Sequence, residues 1–155
     1  MPGALAIDSQ LLLLYLVGAT ARTYIARHKR LRADTEDDFD LLLAQIEGIE
    51  SLVLTPNTLS ETSNLIDHIA EPARGEIYAV LRAVLELPEA VERYVPSSVA
   101  ARQRDLPRLG LTDCALLDLC HDGTPLLTAD LPLYLAAVSA GGAAVNFHHL
   151  RDAQD

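Results

Sequence analysis

Ala4-Leu5-Ala6-Ile7-Asp8-Ser9 is a four-residue apolar run closed by a carboxylate, and its reading decides the fold. A run this short, apolar without alternation, reads as a strand buried on both faces, the pattern of a parallel sheet. Gln10 to Leu16 follows at once and reads as a buried helix. The same pairing recurs along the chain. Ser51 to Leu54 is a second strand, broken by Thr55-Pro56-Asn57, and Thr58 or Asn57 then caps a helix through Glu61, Leu65 and Ile69. Pro125 to Thr128 precedes a helix over Leu131 to Ser139, and Ala143 to Phe147 forms a last strand after Gly141-Gly142.

Between these pairs lie amphipathic helices. One opens in acid at Glu36-Asp37-Asp38, which suits the positive end of a helix dipole, and buries Phe39, Leu42, Leu43, Ile46 and Ile49 on one face. Another carries Ile77, Val80, Leu81, Val84 and Leu85 and is closed by Pro88. Thr112 or Asp113 starts a third, through Leu119 to His121-Asp122-Gly123, while Val95 to Arg108 reads as a loop or weak helix. Ala19 to Asp34 is irregular. Short apolar strands alternating with helices predict an α/β fold with a mainly parallel sheet, and 155 residues predict a single domain over 1–155.

Half of the residues are hydrophobic and 22% are charged, which excludes wholesale disorder. Twelve basic against 22 acidic residues give a formal charge of −10, which excludes a generic polyanion binder relying on many Lys/Arg–phosphate contacts. Cys114 and Cys120 lack metal-site partners at zinc-like spacing and read as small core residues of a cytoplasmic protein. The longest apolar run, Leu11 to Val17, is too short to cross a bilayer, and no basic region precedes it as in a signal peptide. No P-loop or Gly-x-Gly-x-x-Gly signature is present, and the five histidines form no catalytic constellation by spacing.

Four carboxylates carry the chemistry. Asp8 follows the first strand, Asp130 lies just past the Pro125–Thr128 strand, Glu61 sits one turn into the helix after the second strand, and Asp113 opens the helix leading to the Asp130 strand. In a parallel sheet the carboxyl ends of all strands share one edge, so the four can converge there. Convergent carboxylates repel unless a cation neutralises them, and an oxygen-only ligand set suits a hard cation, Mg²⁺ or Mn²⁺. Such an ion supports phosphodiester hydrolysis without a covalent protein nucleophile. Taken singly, each acid reads equally as a helix cap or a solvated side chain.

Ala-Ile-Asp-Ser (6–9), Leu-Thr-Pro-Asn-Thr-Leu-Ser-Glu-Thr-Ser-Asn-Leu (54–65), Leu-Thr-Asp-Cys-Ala-Leu-Leu (111–117) and Leu-Leu-Thr-Ala-Asp-Leu (126–131) occur in that order. Together they resemble the PIN-domain nuclease family, and the tail at 144–151 is similar to the last strand of some members. The resemblance implies a three-layer α/β/α sandwich and a metal site built from Asp8, Glu61, Asp113 and Asp130. It also implies ribonuclease activity preferring single strands, in many members as the toxin of a toxin–antitoxin pair, with an antitoxin protein as partner. The long connection Ala19 to Phe39 and the acidic balance depart from a small toxin. A PIN-like module that binds RNA or protein without cleaving is the alternative. A receiver-type phosphoacceptor is disfavoured because the one lysine, Lys29, falls in the irregular segment.

Other residues attach to this site as expectations. Ser9 and Thr128 flank it, where their hydroxyls can orient a carboxylate or water. Asn64 lies three residues beyond Glu61 on the same helical face, and Asn146 in the last strand has similar standing. Asp118 is five residues, about 140° of helix rotation, from Asp113 and does not share its face. The basic cluster of Arg22, Arg27, Lys29, Arg30 and Arg32, with Tyr24 among it, is a candidate RNA contact or else a loop pairing with Glu36 to Asp38. The face of Ile77, Val80, Leu81 and Val84 is a candidate homodimer contact if it is not core.

Overall fold

The computed structural model describes residues 3–154. In chain order the elements are β1 (Ala4–Ile7), α1 (Ser9–Thr20), a 3-10 helix (Arg22–Arg27), α2 (Glu36–Ile46), β2 (Ser51–Leu54), α3 (Pro56–Ile66), α4 (Ala73–Leu85), β3 (Ala90–Glu92), α5 (Ser97–Ala100), α6 (Leu106–His121), β4 (Leu126–Thr128), α7 (Leu131–Ser139), β5 (Ala144–Asn146) and α8 (Phe147–Asp152). All four strand pairings are parallel, and the order across the sheet is β3-β2-β1-β4-β5.

Strand residues alternate between two cores, which makes the fold three layers. Leu5, Ile7, Leu52, Leu54 and Leu127 pack with α1 to α4 and Phe147 of α8. Ala4, Ala6, Val53 and Leu126 turn to the other face and pack with α5, α6 and α7. The all-leucine start of α1 is fully enclosed, with Leu11, Leu12, Leu13, Leu14, Leu16 and Val17 at most 1% exposed. Gly18 makes room for α2: a Cβ there would sit 2.2 Å from the Phe39 ring.

Several boundaries differ from the sequence reading. The first helix runs on to Thr20, and the irregular segment contains the 3-10 helix, because Thr20 and Ala21 bond back to Leu16 and Val17 before the turn tightens. Thr55 caps α3, its Oγ1 accepting from the Thr58 N–H at 3.0 Å, which leaves Pro56 at the position where a missing N–H costs nothing. β3 was not expected; it pairs with β2 through three half-exposed or exposed residues, too few to stand out. α6 is two helical segments joined at Gly110, whose φ of 82° only glycine adopts easily. The segment carrying Asp113 therefore starts just after it, close to the expected Thr112, and Leu106 opens the short segment before. The last strand stops at Asn146, whose side chain accepts from the His148 N–H and starts α8, so 147–151 is helical rather than extended.

The α4 face is core. Ile77 and Val84 are buried, and Val80 and Leu81 are half-buried against the same cluster, so this face packs chiefly within the chain. No helix among the described residues is long and apolar enough to cross a membrane.

Candidate functional site

The strand order places a switch point beside β1. The chain goes outward from β1 to β2 and β3, then crosses back to β4 on the other side of β1. Ligands bind outside the carboxyl ends of strands at such a point, where consecutive connections part and leave a crevice. Asp8 follows β1 and Asp130 follows β4 by two residues, so both stand at its mouth.

Both acids begin helices. The Asp8 Oδ1 accepts from the Leu11 N–H at 2.9 Å and caps α1, and the Asp130 Oδ1 accepts from the Leu133 N–H at 2.9 Å and caps α7. The capping reading of these acids is therefore correct, and it coexists with a place in the crevice. The Asp8 Oδ2 reaches across the switch point, accepting from Thr128 Oγ1 at 2.5 Å and from the Ala129 N–H at 2.9 Å. Thr128 Oγ1 in turn accepts from the Asp130 N–H at 3.0 Å. One buried hydroxyl thus ties together the ends of β1 and β4 and fixes both acids.

A cleft of about 340 Å³ opens here, lined by Asp8, Ser9, Glu61, Asp113 and Asp130, the four expected acids and one expected hydroxyl. Glu61 comes from α3 and Asp113 from α6 just after its kink. No lysine or arginine lines this cleft. The mutual repulsion is visible in the titration of Asp113. Its carboxyl is pushed up to about 7, first by burial, then by the charges of Asp130, Asp8 and Glu61. The Asp8 carboxyl is also raised, because burial outweighs the three hydrogen bonds that favour its charged form.

Two further groups lie in the cleft that the sequence did not single out. Asp34 arrives from the loop before α2, its carboxyl raised by burial and by Asp38, with Gln10 Nε2 3.5 Å away. His148 arrives from α8. Its Nδ1 lies 2.6 Å from Arg151 Nη2, so it accepts from the guanidinium and leaves the Nε2 position as N–H. Neither had a local signal: Asp34 depends on Gln10 holding the Arg30 carbonyl at 2.8 Å, and His148 on a helix in place of a strand.

Ser9 is 4% exposed, and its hydroxyl has no hydrogen-bond partner among the described residues although it lines the cleft. A buried hydroxyl left open costs free energy unless a ligand or water completes it. Asn146 is occupied as the α8 cap, and Asn64 lines a neighbouring cleft that shares Glu61.

The basic cluster is dispersed, and none of its members lines the acidic cleft. Arg22 pairs with Asp40 and lies 5.0 Å over the Phe39 ring. The expected partners Glu36 to Asp38 are replaced by Asp40, one turn further along α2. The Tyr24 hydroxyl donates to Glu76 at 2.9 Å, and Arg27 covers its ring. Arg27 and Lys29 line a separate cleft with His68 and Arg74. Arg30 and Arg32 are exposed and have no ion-pair partner among the described residues.

Among the described residues no three His, Cys, Asp or Glu side chains stand close enough to coordinate one ion as they are. The acids encircle a cleft rather than a closed shell. The donor set nevertheless fits a hard divalent cation: all oxygen, with no lysine or arginine lining the cleft to offset its charge. Glu61, exposed and without a hydrogen bond among the described residues, can move inward at little cost. No protein family, curated protein or solved structure matches this chain.

Proposed function

We propose that the protein is a divalent-metal-dependent endoribonuclease that hydrolyses phosphodiester bonds in single-stranded or structured RNA. The observation that carries this reading is the meeting of Asp8, Glu61, Asp113 and Asp130, from four separate elements, in one cleft at the switch point. A stability role alone does not account for four like charges there with no lysine or arginine in the lining among the described residues, since each raises the cost of ionising the others.

In this reading the four carboxylates hold Mg²⁺ or Mn²⁺, which when bound supplies an activated water and offsets charge on the phosphate. Asp8 is the fixed member, held by Thr128 Oγ1 and the Leu11 and Ala129 N–H groups. Asp130 is aligned by its cap to Leu133, and Asp113 by the start of the straight part of α6. Glu61 is the unrestrained member, exposed and without a hydrogen bond among the described residues, and is suited to orient water. The Ser9 hydroxyl offers a donor to a phosphate oxygen or to that water. The cations of Arg27, Lys29 and Arg74, in their own cleft, offer a place for backbone phosphates away from the repulsive acids.

The resemblance to PIN-domain nucleases agrees with this reading, and an antitoxin partner is its further extension. The deciding experiment incubates labelled single-stranded RNA with the protein in Mn²⁺ and in a chelator. Cleavage only with Mn²⁺ supports the nuclease. RNA bound but intact under every divalent condition supports a binding module instead.

A further inference from the structure

One aromatic residue stands apart from the others. Phe39 and Phe147 are buried, Tyr15 packs against the core, Tyr24 donates to Glu76, Tyr78 donates to Ser63 and Asp67, and Tyr134 lies edge-on to His149. Tyr94 is 75% exposed and has no ring or hydrogen-bond partner among the described residues. Its ring is therefore open to a ligand, and with no tryptophan in the chain the tyrosines are its main amphipathic stacking surfaces.

Its position gives it a use. Tyr94 follows β3 by two residues and therefore stands at the carboxyl edge of the sheet, the same edge as the four acids. It lines a cleft of about 540 Å³ with Asn57, Ser60 and Asn64 of α3, Leu111 of α6, and Glu61. Glu61 belongs to both clefts, so the two adjoin at that residue. The chemistry differs sharply across that shared residue. On one side lie the acids, and on the other a ring, an aliphatic side chain, hydroxyls and two carboxamides, with no charge except Glu61. Such a lining supplies no cation for a phosphate and suits a flat neutral heterocycle. The ring stacks on its face, and the amides offer donors and acceptors to its edge.

We propose that this cleft is a nucleobase subsite, in which Tyr94 stacks on a base of single-stranded RNA next to the scissile phosphate while Asn64 and Asn57 read its edge. The proposal rests on the nuclease reading and adds a base-specificity determinant to it. Stacking of this kind tolerates every base, so Tyr94 sets affinity and the amides set preference.

The test measures binding of short labelled single-stranded RNA by fluorescence anisotropy in Ca²⁺. It uses wild type, Tyr94→Ala, Tyr94→Phe and Asn64→Ala, with a strand of equal length lacking all bases as control. Thermal melts establish that the exposed substitutions leave the fold intact. Tyr94→Ala should weaken RNA binding about tenfold, leave binding of the baseless strand unchanged, and be rescued by Tyr94→Phe. Asn64→Ala should alter the ranking among homopolymers. Equal RNA affinity of wild type and Tyr94→Ala, an equal loss on the baseless strand, or no RNA binding by wild type overturns the subsite. Cleavage that needs Mn²⁺ and Asp8 but ignores Tyr94→Ala overturns the subsite alone. Base-dependent binding without cleavage in Mn²⁺ overturns the nuclease reading alone.

Discussion

Asp113 carries the electrostatic cost of the site. Its carboxyl titrates near 7 in the folded chain against an ordinary aspartate value of about 4. A raised acid binds its proton more tightly folded than unfolded, so its contribution favours folding at low pH and is lost as pH rises from about 4 through 7. In chelator, Asp113→Asn should therefore melt higher than wild type at pH 8, by on the order of 1–2 kcal/mol after allowance for partial solvation. The difference should vanish below about pH 3, where Asp113 is neutral both folded and unfolded. Denaturant curves at the two pH values check this; equal stability at pH 8 would remove the repulsion argument. Thr128→Val keeps the shape but takes away the hydroxyl that donates to the buried Asp8 carboxylate. It should cost about 1.5–3 kcal/mol at pH 8, read from the shift in urea midpoint, and should lower cleavage as Asp8 loses its alignment. Asp8, Glu61, Asp113 and Asp130 could be singled out in the sequence because strand ends and helix starts mark the carboxyl edge. Asp34, His148 and Tyr94 could not: each reaches that edge through a loop or a short element whose course depends on distant contacts.

At the scale of elements, two glycines hold the frame. Gly18→Ala would improve helix propensity by about 0.5–1 kcal/mol, but its Cβ meets the buried Phe39 ring at 2.2 Å. Overpacking costs about 1–3 kcal/mol, so the substitution should destabilise, with a lower urea midpoint and an unchanged slope. Gly110→Ala has open space around its Cβ, so any loss there comes from backbone alone, at φ 82° and ψ 172°. A loss of about 1–3 kcal/mol with reduced cleavage would show that this bend sets the start of the Asp113 helix. Long, strongly apolar or well-capped segments were legible: β1, α2, β2 and α7 fall where composition and caps put them, while α3 starts earlier than expected because Thr55 caps it. β3 and α8 were not. Ala90-Val91-Glu92 has no pattern beyond its pairing with β2, and α8 begins within an apolar run because Asn146 caps it.

For the whole molecule, the central question is what an acidic cleft does on a chain of formal charge −10. Three layers position the cleft at the β1–β4 switch point, and Arg27, Lys29 and Arg74 lie in a cleft of their own. The acidic cleft therefore repels any polyanion until its charge is offset. Mn²⁺ should accordingly raise the melting temperature of wild type in a concentration-dependent way, and less so for Asp113→Asn. The most direct measurement compares wild type with Asp8→Asn on labelled single-stranded RNA in Mn²⁺, recording cleavage rate and strand affinity together. Asp8→Asn preserves shape and removes one charge from the cleft. Cleavage should collapse while RNA binding persists or strengthens; equal cleavage by the two proteins, or none by wild type, would contradict a metal-dependent nuclease held by Asp8.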